Sequence, residues 1–199
     1  MATRRAGAGT ASTGTRTAVA ISLAAVLLAG CSSDGRRGAA ASTAAAPASS
    51  AATSAPAVVG FGGLTLSGAG DLTAKPRLTA RTAATPTALR VRDVVTGSGA
   101  AATPTSTVTV QYLGVRYADG RQFVASWDHG GATSFSLRSV LPGLARGIGG
   151  GAGTEPMRVG GRRIVIVPAA LAYGRAGTPD RSIGPNAPLA FVVDLVAVS

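Results

Sequence analysis

TVTVQYLGVRYADGRQFVAS, residues 107–126, alternates through its first half and then turns back on itself. Val108, Val110 and Tyr112 share one face of an extended chain, and Thr107, Thr109 and Gln111 share the other, because successive strand side chains point to opposite sides. Asp119-Gly120 is a hairpin-turn pair, so Arg121 to Ser126, carrying Phe123, is the expected return strand. Working outward, Leu89 to Val95 alternates before the turn at Gly97-Ser98-Gly99, and Thr133 to Leu137 reads as a further short strand. Arg162 to Val167 and Leu189 to Val198 complete the strands. Val140 to Ile148 is the one helix expected mid-chain, with Pro142 in its first turn where a missing N–H does no harm. Many strands and one short helix make an α+β domain over residues 86–199: a twisted antiparallel β-sheet of five to six strands wrapped around one short α-helix.

The chain ahead of that domain has a different character. Residues 1–30 read as a secretory leader: Arg4, Arg5 and Arg16 precede the apolar run AVAISLAAVLLAG from Ala18 to Gly30. That run falls short of the ~20 apolar residues a membrane span needs. It ends in Leu28-Ala29-Gly30-Cys31, which resembles a bacterial lipobox and implies acylation of Cys31 after the leader is removed. Cys31 is the only cysteine, so no intramolecular disulfide is available. A doubly acylated cysteine would hold the protein stably to a membrane, which places it outside the cytoplasm on the bacterial cell membrane. Residues 31–57 are Ala, Ser, Thr, Pro and Gly with few charges, too poor in apolar surface to fold, and read as a disordered tether. Residues 58–85 are intermediate; Leu64-Thr65-Leu66 alternates briefly, so the segment reads as an extra edge strand or as a half-ordered linker.

The formal charge is +11, and losing the three leader arginines leaves about +8. Arg90, Arg92, Arg116, Arg121, Arg138, Arg146, Arg162, Arg163 and Arg175 fall in different expected elements and read as solvated side chains. A nucleic-acid binder would show a basic stripe interleaved with aromatics, so no nucleic-acid partner is expected. His129, the only histidine, lacks the companions of a triad or a metal site, so no metal and no cofactor is implied.

Four stretches in order carry the strongest signal: VQYLG (110–114), SVLPGL (139–144), ALAYG (170–174) and GPNAPLAFVVDL (184–195). They deliver aromatic and aliphatic side chains, with no nucleophile and no phosphate loop. This order resembles the FKBP-type peptidyl-prolyl cis-trans isomerases. The resemblance implies that proline is enclosed by Tyr112, Phe123, Tyr173 and Phe191, with Val140, Leu141, Leu144, Val124 and Ile183 as further substrate-binding positions. It implies that the Leu141 N–H and the Tyr173 hydroxyl meet substrate carbonyls. Proline-containing polypeptides, and macrolides of the kind the family binds, are the implied partners of a monomeric domain.

The sequence departs from the family pattern at three places. Val124 stands where an aspartate usually follows the hairpin phenylalanine, Leu144 where a tryptophan usually floors the pocket, and Thr133 where a phenylalanine is usual. Trp127 reads as a loop residue and not as that floor. Two functions follow. One is an isomerase for X-Pro bonds of exported proteins, serving their folding. The other is a weakened pocket of the same fold that holds proline-containing segments as a binding module or chaperone.

Overall fold

The computed structural model describes residues 57–80 and 84–199. The leader, Cys31 and the tether as far as Pro56 lie outside them. The described chain opens with a three-stranded antiparallel meander: β1 (Val58–Phe61), β2 (Leu64–Ser67) and β3 (Arg77–Ala80). This is more than the edge strand or half-ordered linker expected of residues 58–85. The strands of the larger sheet follow as β4 (Arg90–Val95), β5 (Thr107–Arg116), β6 (Gln122–Ala125), β7 (Thr133–Ser136), β8 (Arg162–Val167) and β9 (Leu189–Val198). The only α-helix among the described residues, α1 (Pro142–Gly149), lies between β7 and β8. The larger sheet runs β4-β8-β9-β5-β6, and β7 joins the same edge of β5 as β6. β7 pairs with residues 107–110 of β5, and β6 with residues 113–115. Between them Ser126 fills the gap: its Oγ accepts from the Tyr112 N–H at 2.9 Å and donates to Gln111 Oε1.

Strand alternation splits the apolar residues into two layers. On the front face Val108, Val110, Val165, Val167, Phe191, Val193 and Leu195 pack with Leu144 and Ile148 of α1. On the back face Leu113, Tyr117, Ile164, Ile166, Ala190 and Val192 pack with Val59, Leu64, Leu66, Ala69 and Leu78 of the meander segment. Every residue of β8 is therefore buried. Each aliphatic side chain so enclosed contributes about 1.5–3 kcal/mol, which is what lets four-residue strands hold their shape. Three polar side chains fasten the meander. Tyr117 Oη donates to Gly62 O at 2.5 Å, Arg92 Nη1 to Gly60 O at 2.7 Å, and Arg162 Nη1 to Gly68 O at 2.6 Å.

The expectation of solvated arginines fails at two neighbours. Arg162 is 0% exposed and Arg163 2%, because β8 is covered on both sides and leaves no route to water. Arg162 forks onto Asp194 at 2.5 and 2.6 Å on the back face. Arg163 points forward: it pairs with Asp93 at 2.6 and 2.8 Å, and its Nη1 donates to Gly147 O and Glu155 O. One guanidinium thus ties the last turn of α1 to the loop behind it, where a cation suits the free carbonyls of a helix end.

Helix α1 sits close to the sheet because two glycines, one turn apart, face it. A Cβ at Gly147 would lie 2.6 Å from Val165 Cγ1, and one at Gly143 would collide with Val167. The helix begins two residues later than the sequence suggests, with Leu141 as its N-cap and Pro142 as its first residue. That leaves the Val140–Leu141 backbone extended and facing the cleft described next.

Candidate binding cleft

The front face carries an open cleft of about 730 Å³ between β5, β6, β9 and the start of α1. Its lining is Tyr112, Phe123, Val124, Phe135, Ser139, Val140, Leu141, Pro142, Leu144, Tyr173 and Phe191. The register explains the convergence: Gly114 of β5 lies opposite Phe191 on one side and Val124 on the other, while Val165 backs Phe191 from β8. Four rings pair edge to face. Phe123 and Phe191 stand 5.8 Å apart at 84°, and Tyr112 and Phe135 stand 6.2 Å apart at 83°. Such pairs hold ring orientation with about 0.5–1.5 kcal/mol beyond their buried area.

Polar groups are set in this apolar frame: the hydroxyl-bearing Tyr112, Ser139 and Tyr173, and the backbone of Leu141. Leu141 supplies a backbone N–H ahead of the helix, and Tyr173 is 38% exposed on the segment after β8. Neither the Leu141 N–H nor the Tyr173 hydroxyl makes a hydrogen bond among the described residues. Val124 places a methyl group where a carboxylate would add charge, so the lining has no carboxylate and no basic group.

Of the expected site residues, Tyr112, Phe123, Tyr173, Phe191, Val140, Leu141, Leu144 and Val124 are brought together. Ile183 is not. It is 2% exposed and packs in the core beneath the sheet's front face, because Thr178 N donates to its carbonyl at 2.9 Å and Thr178 Oγ1 accepts its N–H at 3.0 Å. That clamp closes the loop and turns the side chain inward. Thr133 does not line the cleft, so its replacement of an aromatic leaves the wall intact. Trp127 packs against the back cluster, and its neighbour Asp128 receives Lys75 Nζ and Gln122 Nε2, each at 2.7 Å.

Gly114 is a site residue that motif reading names without giving it a task. A Cβ there would stand 2.7 Å from Val124 Cγ1, 2.9 Å from Phe123 Cζ and 3.0 Å from Phe191 Cε1. The aromatic walls approach this closely only over a bare backbone. A Gly114→Ala change is expected to displace the Phe123–Phe191 pair and to destabilise by about 1–3 kcal/mol through overpacking. Ligand affinity should fall with it, measured by titration alongside thermal unfolding; unchanged affinity would show that the pair has room to give.

Residues 99–196 match the family described as FKBP-type peptidyl-prolyl cis-trans isomerase. Two relatives are matched over most of their own length. An FK506-binding protein of Streptomyces anulatus is 42% identical over 115 residues, covering 57% of this chain and 88% of that protein. A probable FK506-binding protein of Corynebacterium glutamicum is 35% identical over 123 residues, covering 62% and 98%. The chain belongs to the FKBP-type peptidyl-prolyl cis-trans isomerase family. The crystal structure of AtFKBP13 is similar in fold, with a TM-score of 0.53 and 30% identity over 58% of this chain and 96% of that one. The FKBP-like α+β architecture is thereby established, and the protein is an isomerase of this class. The family match begins at Gly99, so the β1–β3 meander and β4 lie outside it.

Proposed function

We propose that the cleft isomerises X-Pro bonds in exported polypeptides and so assists their folding, from a position outside the cell membrane anchored through Cys31. The observation that carries this reading is the pairing of a carboxylate-free aromatic cleft with the Leu141 N–H and the Tyr173 hydroxyl, neither of which has a partner among the described residues. A prolyl amide must lose resonance to rotate, against a barrier of about 18–20 kcal/mol. The planar amide is more polar than the twisted one, so a dry aromatic enclosure disfavours the ground state relative to the transition state. The Leu141 N–H and the Tyr173 hydroxyl then hold the carbonyls on either side of the proline while the bond turns. No covalent intermediate is needed. Lowering the barrier by about 6–7 kcal/mol would accelerate exchange by roughly five decades.

Exchange spectroscopy on an X-Pro peptide tests the reading, since the uncatalysed step takes tens to hundreds of seconds. Tyr173→Phe removes one neutral hydrogen bond and is expected to lower kcat/KM by about twofold to tenfold. An unaccelerated peptide would sink the proposal. Val124 supports a second reading, a module that holds proline segments with little turnover, because it removes a polar contact from the cleft. Peptide binding without acceleration in the same experiment would select that reading.

A further inference from the structure

Beside the cleft, and sharing Phe123 with it, lies a notch of about 260 Å³ lined by Arg116, Arg121, Gln122, Phe123, Asp180, Arg181 and Ser182. Its charges are unevenly satisfied. Arg116 is paired with Asp119, which also accepts the Arg121 N–H at 3.0 Å. Asp180 is occupied by the N–H and hydroxyl of Ser182, at 3.2 and 2.9 Å. The guanidinium groups of Arg121 and Arg181 make no hydrogen bond or ion pair among the described residues. Arg181 also has a φ of 59°, a conformation that costs a side-chain-bearing residue about 1–2 kcal/mol. It is imposed by the turn in which the Arg181 N–H reaches Thr178 O at 2.9 Å. The turn therefore sets a strained arginine on the lip of the notch, facing the hairpin that carries Arg121.

We infer that this notch reads an acidic side chain of the client, Asp or Glu, within about two residues of the proline held in the neighbouring cleft. Two unpaired arginines from different loops match a carboxylate in sign and in hydrogen-bond geometry. The lining of the cleft is free of charge, and the notch adjoins it at Phe123, so charge discrimination is available beside the held proline. A chain crossing Phe123 passes from one recess to the other without a break in contact. The inference rests on the isomerase reading for where the proline sits, and it adds selectivity between clients.

The test uses the full chain, kept in detergent, and two pairs of X-Pro peptides. One pair places Glu or Gln directly after the proline, the other two residues before it. In one of the two registers the Glu peptide should be turned over about twofold to fivefold faster, in kcat/KM, than its Gln twin at low salt. The Arg121→Ala/Arg181→Ala double variant should bring that ratio near one while leaving the Gln rates unchanged. Salt at 1 M, where the screening length is about 3 Å, should do the same. Equal Glu and Gln rates in both registers overturn the inference, as does a ratio that persists in the double variant. If the Gln peptides are not accelerated at all, the isomerase reading fails separately. Titrating the same four peptides for binding then decides the charge question: a Glu preference abolished by the double variant supports it, and equal affinities refute it.

Discussion

A fragment beginning at Pro86 should be far less stable than one beginning at Ala57, although both contain the whole cleft. Removing the meander uncovers Ile164, Ile166, Ala190 and Val192 on a sheet face that is otherwise closed. It also strands Tyr117 and Arg162, whose donors lose Gly62 O and Gly68 O. The lost burial of Val59, Leu64, Leu66 and Leu78 amounts to about 1.5–3 kcal/mol per side chain. The shorter fragment is expected to show that lost burial as a melting temperature lower by about 10 °C or more. Binding of an apolar dye should rise with it. Equal melting temperatures and equal dye binding in the two fragments would mean that the meander is ornament.

Arg162→Met should be the most damaging single substitution among the charged residues. It leaves Asp194 buried without its cation, a situation that typically costs about 3–5 kcal/mol, and it removes the donor from Gly68 O. Burial already pushes the Asp194 carboxyl above its ordinary value of 3.8, with the Arg162 guanidinium opposing the shift. A raised carboxyl binds its proton more tightly in the folded than in the unfolded protein. Its contribution to stability therefore declines as pH rises through the window above 3.8 and is level once both states are ionised. Without Arg162 the window extends to higher pH, so the variant should recover stability as the solution is acidified from pH 7 toward pH 5. Urea unfolding at several pH values measures both effects. A loss under about 1 kcal/mol, or no recovery in acid, would show that water reaches Asp194. Adding Asp194→Leu should restore part of the loss and leave the unmet Gly68 carbonyl as the remainder.

The larger sheet was legible because its strands are six to ten residues long in β4, β5, β8 and β9, enough for alternation to show. The walls of the cleft were legible from motif order, down to Val124 and Leu144. The meander was not. Its strands have four residues each and are punctuated by glycine, so a local window sees turns, and the surface that organises them lies about a hundred residues away in the chain. Arg162 and Arg163 looked like surface charge because their partners, Asp194 and Asp93, are distant in sequence and β8 alone does not reveal that both of its faces are covered. Ile183 was placed in the cleft because motif position says nothing of the clamp from Thr178. Gly114 and Phe135 stood in the sequence with their signals visible, one as the bare position between aromatics and the other as the one aromatic of its strand.

The meander also decides where the chain enters the domain. The chain enters the described domain at Ala57, which accepts the Gly68 N–H at 3.0 Å, on the side of β8 and β9 away from Tyr112, Phe123 and Phe191. The point of entry at Ala57 is thus held behind the sheet, on the face opposite the cleft. Entry and opening lie on opposite faces of one sheet, so the chain's own first ordered residue does not crowd the mouth between Tyr112, Phe123 and Phe191.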